Sequence, residues 1–394
     1  MWHDNGQRCR FTKAREKCLR LFISDGGMKM ANANPLDALN IKKLAGFKQI
    51  KPGDLGSVPV TALYDCGITF IDGISNNATI FSIDSMSVLG NTFYGLVGKT
   101  AKTKFVSYVN IPLLEKASLL KEKAIQAGFR LTSSAVPQNQ RGTGILNVFN
   151  RAVSGRYPIA GTLTEDSSVY YEIVIGPVVS NYFSAQAFVN KQLVWSDSLY
   201  INPEDQISLR AGAYNSGFAV AAEEGFTFMI GDAYIAELDY NSDGTVTPQL
   251  LGNLTLEPFT VASYAGDKHT NTKNQDIVTA LNTLDPNNDM GVLAIKPVEQ
   301  AASVTFNAPD IAGKSIYGVS FNIVYKDSIA PNNRLNYQIT EGATQLPAET
   351  ITERNVDVVG YTTFSKTLIT PANGGDWNAE NLAFKLDIFN KGAE

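Results

Sequence analysis

Histidine, cysteine and charge are all scarce in this chain of 394 residues, and each shortage excludes a class of chemistry. The two histidines are His3 and His269. A serine or cysteine hydrolase needs a base oriented beside its nucleophile. His3 sits in a compositionally odd N-terminus, so only His269 is left, in the polar run Asp267-Lys268-His269-Thr270, where a solvated loop histidine is expected. Metal catalysis through histidine ligands is equally unsupported. The three cysteines, Cys9, Cys18 and Cys66, form no CxxC pair and leave an odd count, which fits reduced thiols made in a cytoplasm better than a disulfide framework or a zinc site. Charged residues make up 18% of the chain and the formal net charge is -5, so a basic face for nucleic acid or for anionic membranes is not expected. No apolar run approaches the roughly 18 residues that span a bilayer. Leu19–Ile23 is too short for a secretory core, so export by the usual route is not expected. Gly142-Thr143-Gly144 and Gly374-Gly375 do not form phosphate loops, and no internal repeat, low-complexity tract or coiled-coil heptad is present.

What the chain has is strand periodicity. Phe226, Phe228 and Ile230 alternate with Thr227 and Met229; Leu335, Tyr337 and Ile339 with Asn336, Gln338 and Thr340; Phe384, Leu386 and Ile388 with Lys385 and Asp387. Period two marks strands with one face in a core and the other toward water. Strand-like runs recur at intervals of about 8 to 12 residues with turn punctuation, which predicts antiparallel sandwiches and disfavours a parallel α/β fold. The expected fold is mainly β: two antiparallel β-sandwich, jelly-roll-like domains with one or two short helices and an extended N-terminal arm. The expected division is an arm at 1–56, a first sandwich at 57–260 and a second at 261–394, with the boundary near Phe259–Val261. Within the arm, Arg8, Arg10, Lys13, Arg15, Lys17 and Arg20 make residues 1–27 foreign to the acidic remainder. That segment reads as a structured arm, a basic docking arm, or residues upstream of a native start at Met28 or Met30. Residues 31–56 read as extended chain with at most a short helix near Pro35–Leu44. The strongest helix candidate runs from Pro112 to Ala127, with Leu113, Ala117, Leu120 and Ala124 on one stripe and Gly128 as the cap. A second is expected at about Asn274–Leu284.

Candidate sites are few. Asp239, Asn241 and Asp243, followed by Gly244, fit the first half of a calcium loop, in which alternate oxygens converge on a hard cation and glycine permits the sharp turn. The glutamate expected at position twelve is replaced by Leu250, so a hairpin turn rich in Asx residues competes with calcium as the reading. A glycosidase needs two carboxylates across a cleft, and Glu172, Glu223, Glu224, Asp232 and Glu237 are available; isolated carboxylates at strand ends are more often solvated or capping. Tyr170, Tyr171, Tyr182, Phe183, Trp195 and Tyr214 would serve as core or interface residues, or as a platform for sugar rings. No residue is nominated as catalytic.

RYPIAGTLTED (Arg156–Asp166), SVYYEIVIGPV (Ser168–Val178), SAQAFVNKQLV (Ser184–Val194) and GFTFMIGDAYIAE (Gly225–Glu237) together resemble tailed-bacteriophage virion proteins that carry a concanavalin A-like jelly roll. SIYGVSFNIVYKDS (Ser315–Ser328) and WNAENLAFKLDI (Trp377–Ile388) resemble the terminal sandwich of similar structural proteins, in which a Trp-initiated turn leads into the last strand. The resemblance implies a non-enzymatic structural component of the virion, placed in tail, baseplate, collar or capsid. Its partners would be itself, as a symmetric homo-oligomer, and other virion proteins, after synthesis in the host cytoplasm. The arm would wrap a neighbouring subunit. The competing expectation is a glycan-binding jelly roll for recognising a host surface.

Overall fold

The computed structural model describes residues 13–24, 39–48, 53–56, 71–73, 79–100, 106–135, 143–144, 146–149, 157–159, 167–214, 227–266, 270–271, 276–282, 293–294, 301–311, 314–326, 334–351 and 362–391. The chain opens with β1 (Lys13–Ser24), β2 (Leu39–Ala45), β3 (Gly53–Gly56), β4 (Ile71–Gly73), β5 (Thr79–Val88), β6 (Asn91–Thr100), β7 (Val106–Leu114) and β8 (Ala124–Ala135). Then follow β9 (Thr143–Gly144), β10 (Leu146–Phe149), β11 (Tyr157–Ile159), β12 (Ser167–Val179), β13 (Tyr182–Val189), β14 (Gln192–Tyr200), β15 (Ile207–Tyr214) and β16 (Thr227–Leu238). The rest comprises β17 (Leu254–Pro258), β18 (Thr260–Ala265), β19 (Thr270–Asn271), α1 (Ile277–Asn282), β20 (Leu293–Ala294), β21 (Ala302–Asn307), β22 (Ser315–Lys326), β23 (Arg334–Glu341), β24 (Thr344–Gln345), β25 (Glu349–Thr350), β26 (Thr362–Leu368) and β27 (Phe384–Lys391). The protein is mainly β, built from antiparallel sandwiches, as its alternation predicts.

A nine-stranded sheet runs β14-β13-β12-β8-β16-β6-β5-β3, with β2 also on β16. A six-stranded sheet, β11-β10-β15-β7-β4 with β9 on β15, contributes Ile111, Ile207 and Leu209 to the core it shares with Phe129, Ile173, Phe183 and Phe228 of the larger sheet. Farther along, β19-β20-β1-β22-β26, with β17 on β1, faces β18-β21-β27-β23-β24, with β25 on β23. Their shared core gathers Phe259, Val304, Phe321, Tyr337, Phe384 and Leu386. A third cluster lies on the other face of the nine-stranded sheet. There Leu39, Ile41 and Leu44 of β2, Leu251 of the connection and Leu254 and Leu256 of β17 cover Tyr170, Val174 and Tyr234, and Tyr317 and Ile369 pack against them.

That third cluster changes the expected pattern. β12 and β16 are buried over most of their length on both faces, so Met229, read as a solvent-facing partner of Phe228 and Ile230, is buried with Met86, Val88 and Val97. The helix expected over Pro112–Ala127 is not formed. β7 ends at Leu114, a single 3-10 turn covers Ala117–Lys121, and β8 begins at Ala124. Ala117, Leu120 and Ala124 are buried as the helical stripe required, but Ile125, Ala127, Phe129 and Leu131 alternate into the first core, and pairing with β12 and β16 overrides local propensity. Gly128, expected as a helix cap, sits mid-strand. The second helix is present as α1, where the Asp276 carboxylate accepts from the Thr279 N–H (2.8 Å) and hydroxyl (2.9 Å); these bonds hold that carboxyl below its ordinary pKa.

Within the segment expected to form the arm, most of the described residues lie in strands. β1 pairs with β22 along its length and with β17 and β20 on its other side. β2 occupies Leu39–Ala45, where a short helix was expected, and adds to β16 beyond Gly231, past the stretch where β6 pairs. Gly231 permits that change of partner, because a Cβ there would lie 2.5 Å from the Tyr94 carbonyl oxygen.

Candidate functional site: a polar clamp on the connecting segment

Polar side chains on the central strands of the nine-stranded sheet converge on the segment 249–256, which runs from the connection into β17. Period two sends Gln126 and Arg130 of β8, and Tyr170 and Glu172 of β12, to the face away from the first core; the irregularity after Gly231 brings Asp232 and Tyr234 of β16 to the same side. Gly128 lies in register between Glu172 and Tyr234. Its missing side chain leaves the space that the Tyr234 ring crosses, since a Cβ would sit 2.3 Å from Tyr234 Cε1. The Tyr234 hydroxyl thereby donates to Glu172 Oε1 at 2.7 Å and accepts from Gln126 Nε2 at 2.6 Å.

Each of these strands then holds backbone of that segment. Gln126 accepts from the Gln249 N–H (2.9 Å) and donates to its carbonyl (2.8 Å). Glu172 accepts from the Leu251 N–H (2.7 Å) and the Gly252 N–H (2.9 Å). Arg130 Nη2 donates to the Leu254 carbonyl (2.7 Å), and Asp232 Oδ1 accepts from the Leu256 N–H (3.1 Å). Arg130 Nε also donates to Asp232 Oδ2 at 3.1 Å, while the Tyr170 hydroxyl donates to the Asp232 carbonyl at 2.9 Å. The arrangement satisfies buried polar groups with one another, and its chemistry is fastening. A second fastening lies beside it: Glu257 receives Lys48 at 2.5 Å and Lys314 at 3.3 Å, tying the end of β2 and the approach to β22 to one carboxylate of β17.

Burial pushes the Glu172 carboxyl above the ordinary glutamate range, against the hydrogen bonds from Tyr234, Gly252 and Leu251 that favour its charged form. Burial likewise raises Asp232 and outweighs the pull of Arg130. A carboxyl whose folded pKa is raised binds its proton more readily in the native state, so its contribution to stability falls as pH rises through that window and recovers as pH falls. The unfolding free energy of wild type relative to Glu172→Gln is therefore expected to rise as pH is lowered from neutrality toward the ordinary glutamate value of about 4.3. Urea unfolding of both proteins across that range measures it, and a difference that stays flat with pH refutes the assignment.

The residues singled out for calcium are separated in their bonding. Asp239 pairs with Lys123; Asn241 Nδ2 donates to Thr245 Oγ1 (2.9 Å) and Thr247 Oγ1 (3.1 Å); Asp243 Oδ1 accepts from the Thr245 N–H (2.9 Å) and hydroxyl (2.6 Å). The Thr245 bonds hold the Asp243 carboxyl below its ordinary range. Gly244 has φ +78°, the left-handed turn conformation its position calls for. Among the described residues no three His, Cys, Asp or Glu side chains gather around one point. Of the carboxylates considered for glycoside chemistry, Glu172 and Asp232 are in the clamp, Glu237 pairs with Lys42 at 3.1 Å, and Glu223 and Glu224 lie outside the described residues, as does His269. Of the aromatics, Tyr170, Tyr171 and Phe183 are buried, with Tyr171 stacked on Phe129 at 5.8 Å. Trp195 packs half-buried against the first core, and the side chain of Tyr214 lies outside the described set. Tyr182 and Tyr200 are exposed, edge to face at 5.5 Å across β13 and β14.

No family model matches the chain, and no curated protein matches it. Solved structures do. An endo-β-1,4-glucuronan lyase from the fungus Trichoderma reesei is 12% identical over 42% of this chain and 94% of its own, with a TM-score of 0.29. A conserved carbohydrate esterase from the Shiga toxin-encoding bacteriophage phi24B is 11% identical over 48% of this chain and 100% of its own, with a TM-score of 0.24. The botulinum neurotoxin type G receptor-binding domain is 12% identical over 90% of this chain and 91% of its own, with a TM-score of 0.25. At these scores the site has to be judged by this chain's own residues.

Proposed function

We propose that this chain is a structural component of a bacteriophage virion, made in the host cytoplasm, that works by self-association and contact with neighbouring virion proteins and not by catalysis. The observation that carries the reading is where its polar chemistry lies. The buried carboxylates, arginine and tyrosines of the largest sheet hold the chain's own connecting segment, while the β14 edge of that sheet presents exposed apolar side chains. The sequence resemblance to phage structural proteins supports the same reading. Light scattering of native protein, with electron micrographs of purified particles, tests it. A discrete symmetric homo-oligomer that is also a particle component is the expected result; a monomer absent from particles overturns it.

The exposed Tyr182–Tyr200 pair favours a second reading, recognition of a host-surface glycan by stacking. Glycan-array binding that is lost in Tyr182→Ala would replace the first reading with this one.

A further inference from the structure

Resting on the self-association reading, we infer that the partner of the β14 edge is β14 of a second copy, paired antiparallel about a two-fold axis. Among the described residues β14 pairs only with β13 and ends the nine-stranded sheet. The Ile201 N–H donates to the Asn181 carbonyl at 2.8 Å, one position beyond the Tyr182–Tyr200 register pair. Alternation along an antiparallel ladder then turns the backbone groups of Trp195, Asp197 and Leu199 toward β13 and those of Ser196 and Ser198 outward, where the Ser198 N–H donates to Asp197 Oδ1 at 2.7 Å, an exposed local bond that a second strand would replace. A register shift between Ala187 and Phe188 places a bulge at Val194, so the regular edge begins at Trp195.

Sheet edges are usually blunted by lysine, proline or inward-pointing charge. Between Gln192 and Tyr200 there is no lysine, arginine or proline, and Asp197 is the single charge. Leu193 (54% exposed) and Val194 (41%) lie on this strand, with Val179 (66%) and Tyr182 (48%) beside its far end. An open ladder is completed by another strand, and the charge pattern suits this strand's own copy. A dyad through Ser198 sets Asp197 opposite Leu199, and a dyad through Ser196 sets it opposite Trp195. Both match outward backbone groups with outward backbone groups, keep the carboxylates apart, and close the contact as an isologous pair. A dyad through Asp197 opposes two like charges at the shortest cross-strand distance and is disfavoured.

Two variants test the pairing. Ser198→Pro removes an outward N–H that β13 does not use and that, among the described residues, meets only the exposed Asp197 carboxylate, and Ser196→Lys places a cation on each side of the dyad. Both are compared with wild type by light scattering over a concentration series, with circular dichroism to verify folding. The expected result is an at least two-fold fall in particle mass for each folded variant. If wild type is oligomeric and folded Ser196→Lys keeps its mass, the edge pairing is overturned while self-association stands. If wild type is monomeric at every concentration, both are overturned.

Discussion

Arg130→Met is expected to lower the unfolding free energy by about 3–5 kcal/mol, the range for breaking a buried ion pair by removing one partner. Arg130 is 3% exposed, and its guanidinium sits over the Phe93 ring at 4.7 Å and the Tyr170 ring at 5.5 Å while bonding Asp232 and the Leu254 carbonyl. Methionine fills much of the volume but leaves the Asp232 carboxylate in the sheet without its cation and the Leu254 carbonyl without its donor. Arg130→Met/Asp232→Asn is expected to recover part of the loss, because the uncompensated charge is gone and an amide oxygen still receives the Leu256 N–H. A double-mutant cycle in urea separates the terms. Limited proteolysis adds a local readout, since the segment 249–256 is expected to become a cleavage site in Arg130→Met before the rest of the first sandwich does. Strictly additive costs would refute the coupling of Arg130 to Asp232.

The strands were legible wherever alternation was strong. β16, β23 and β27 fall where the alternations through Phe226–Ile230, Leu335–Thr340 and Phe384–Ile388 predict them. β8 was misread because Leu113, Ala117, Leu120 and Ala124 satisfy helical spacing at a place where a strand end, a 3-10 turn and a strand start follow one another. β2 is hard to read in the sequence because Lys42-Lys43 interrupts its period-two alternation and its partner β16 lies far along the chain. The clamp is illegible for a related reason: Gln126, Arg130, Glu172, Asp232 and Tyr234 meet across sequence separations of 62 to 108 residues. The sequence did carry a trace of it. Glu172 within Val169–Ile175 and Asp232 within Phe228–Ile235 are charges inside strands too apolar to be half-exposed, and a charge there has to find partners. In the structure both carboxylates are buried and accept backbone N–H groups of the segment they hold.

Trp377→Ala is expected to cost about 3–5 kcal/mol, the range for truncating a large aromatic in a core. Trp377 is 8% exposed, packs on Phe384 at 5.9 Å, and donates its indole N–H to the Ile369 carbonyl at 2.8 Å. Phe384 in turn meets Phe321 at 5.4 Å and Phe259 at 5.8 Å, so the cavity would open beside the aromatic centre of the second core. The same indole closes the long turn between β26 and β27, where Asn378 and Asn381 exchange side-chain bonds with each other's N–H groups and the Glu341 carboxylate caps the Ala372 N–H. Trp377→Phe keeps most of the ring contact and loses the bond to Ile369, so its cost should be nearer the 1 kcal/mol typical of one hydrogen bond. Trp377 and Arg130 belong to different sandwiches and share no partner, so their costs should add if the chain unfolds in one transition. If it unfolds in two, Arg130→Met should move the transition reported by Trp195, which packs on the first core, and Trp377→Ala should move the other. A Trp377→Ala protein whose urea midpoints match wild type would remove this turn from the list of elements that hold the second sandwich together.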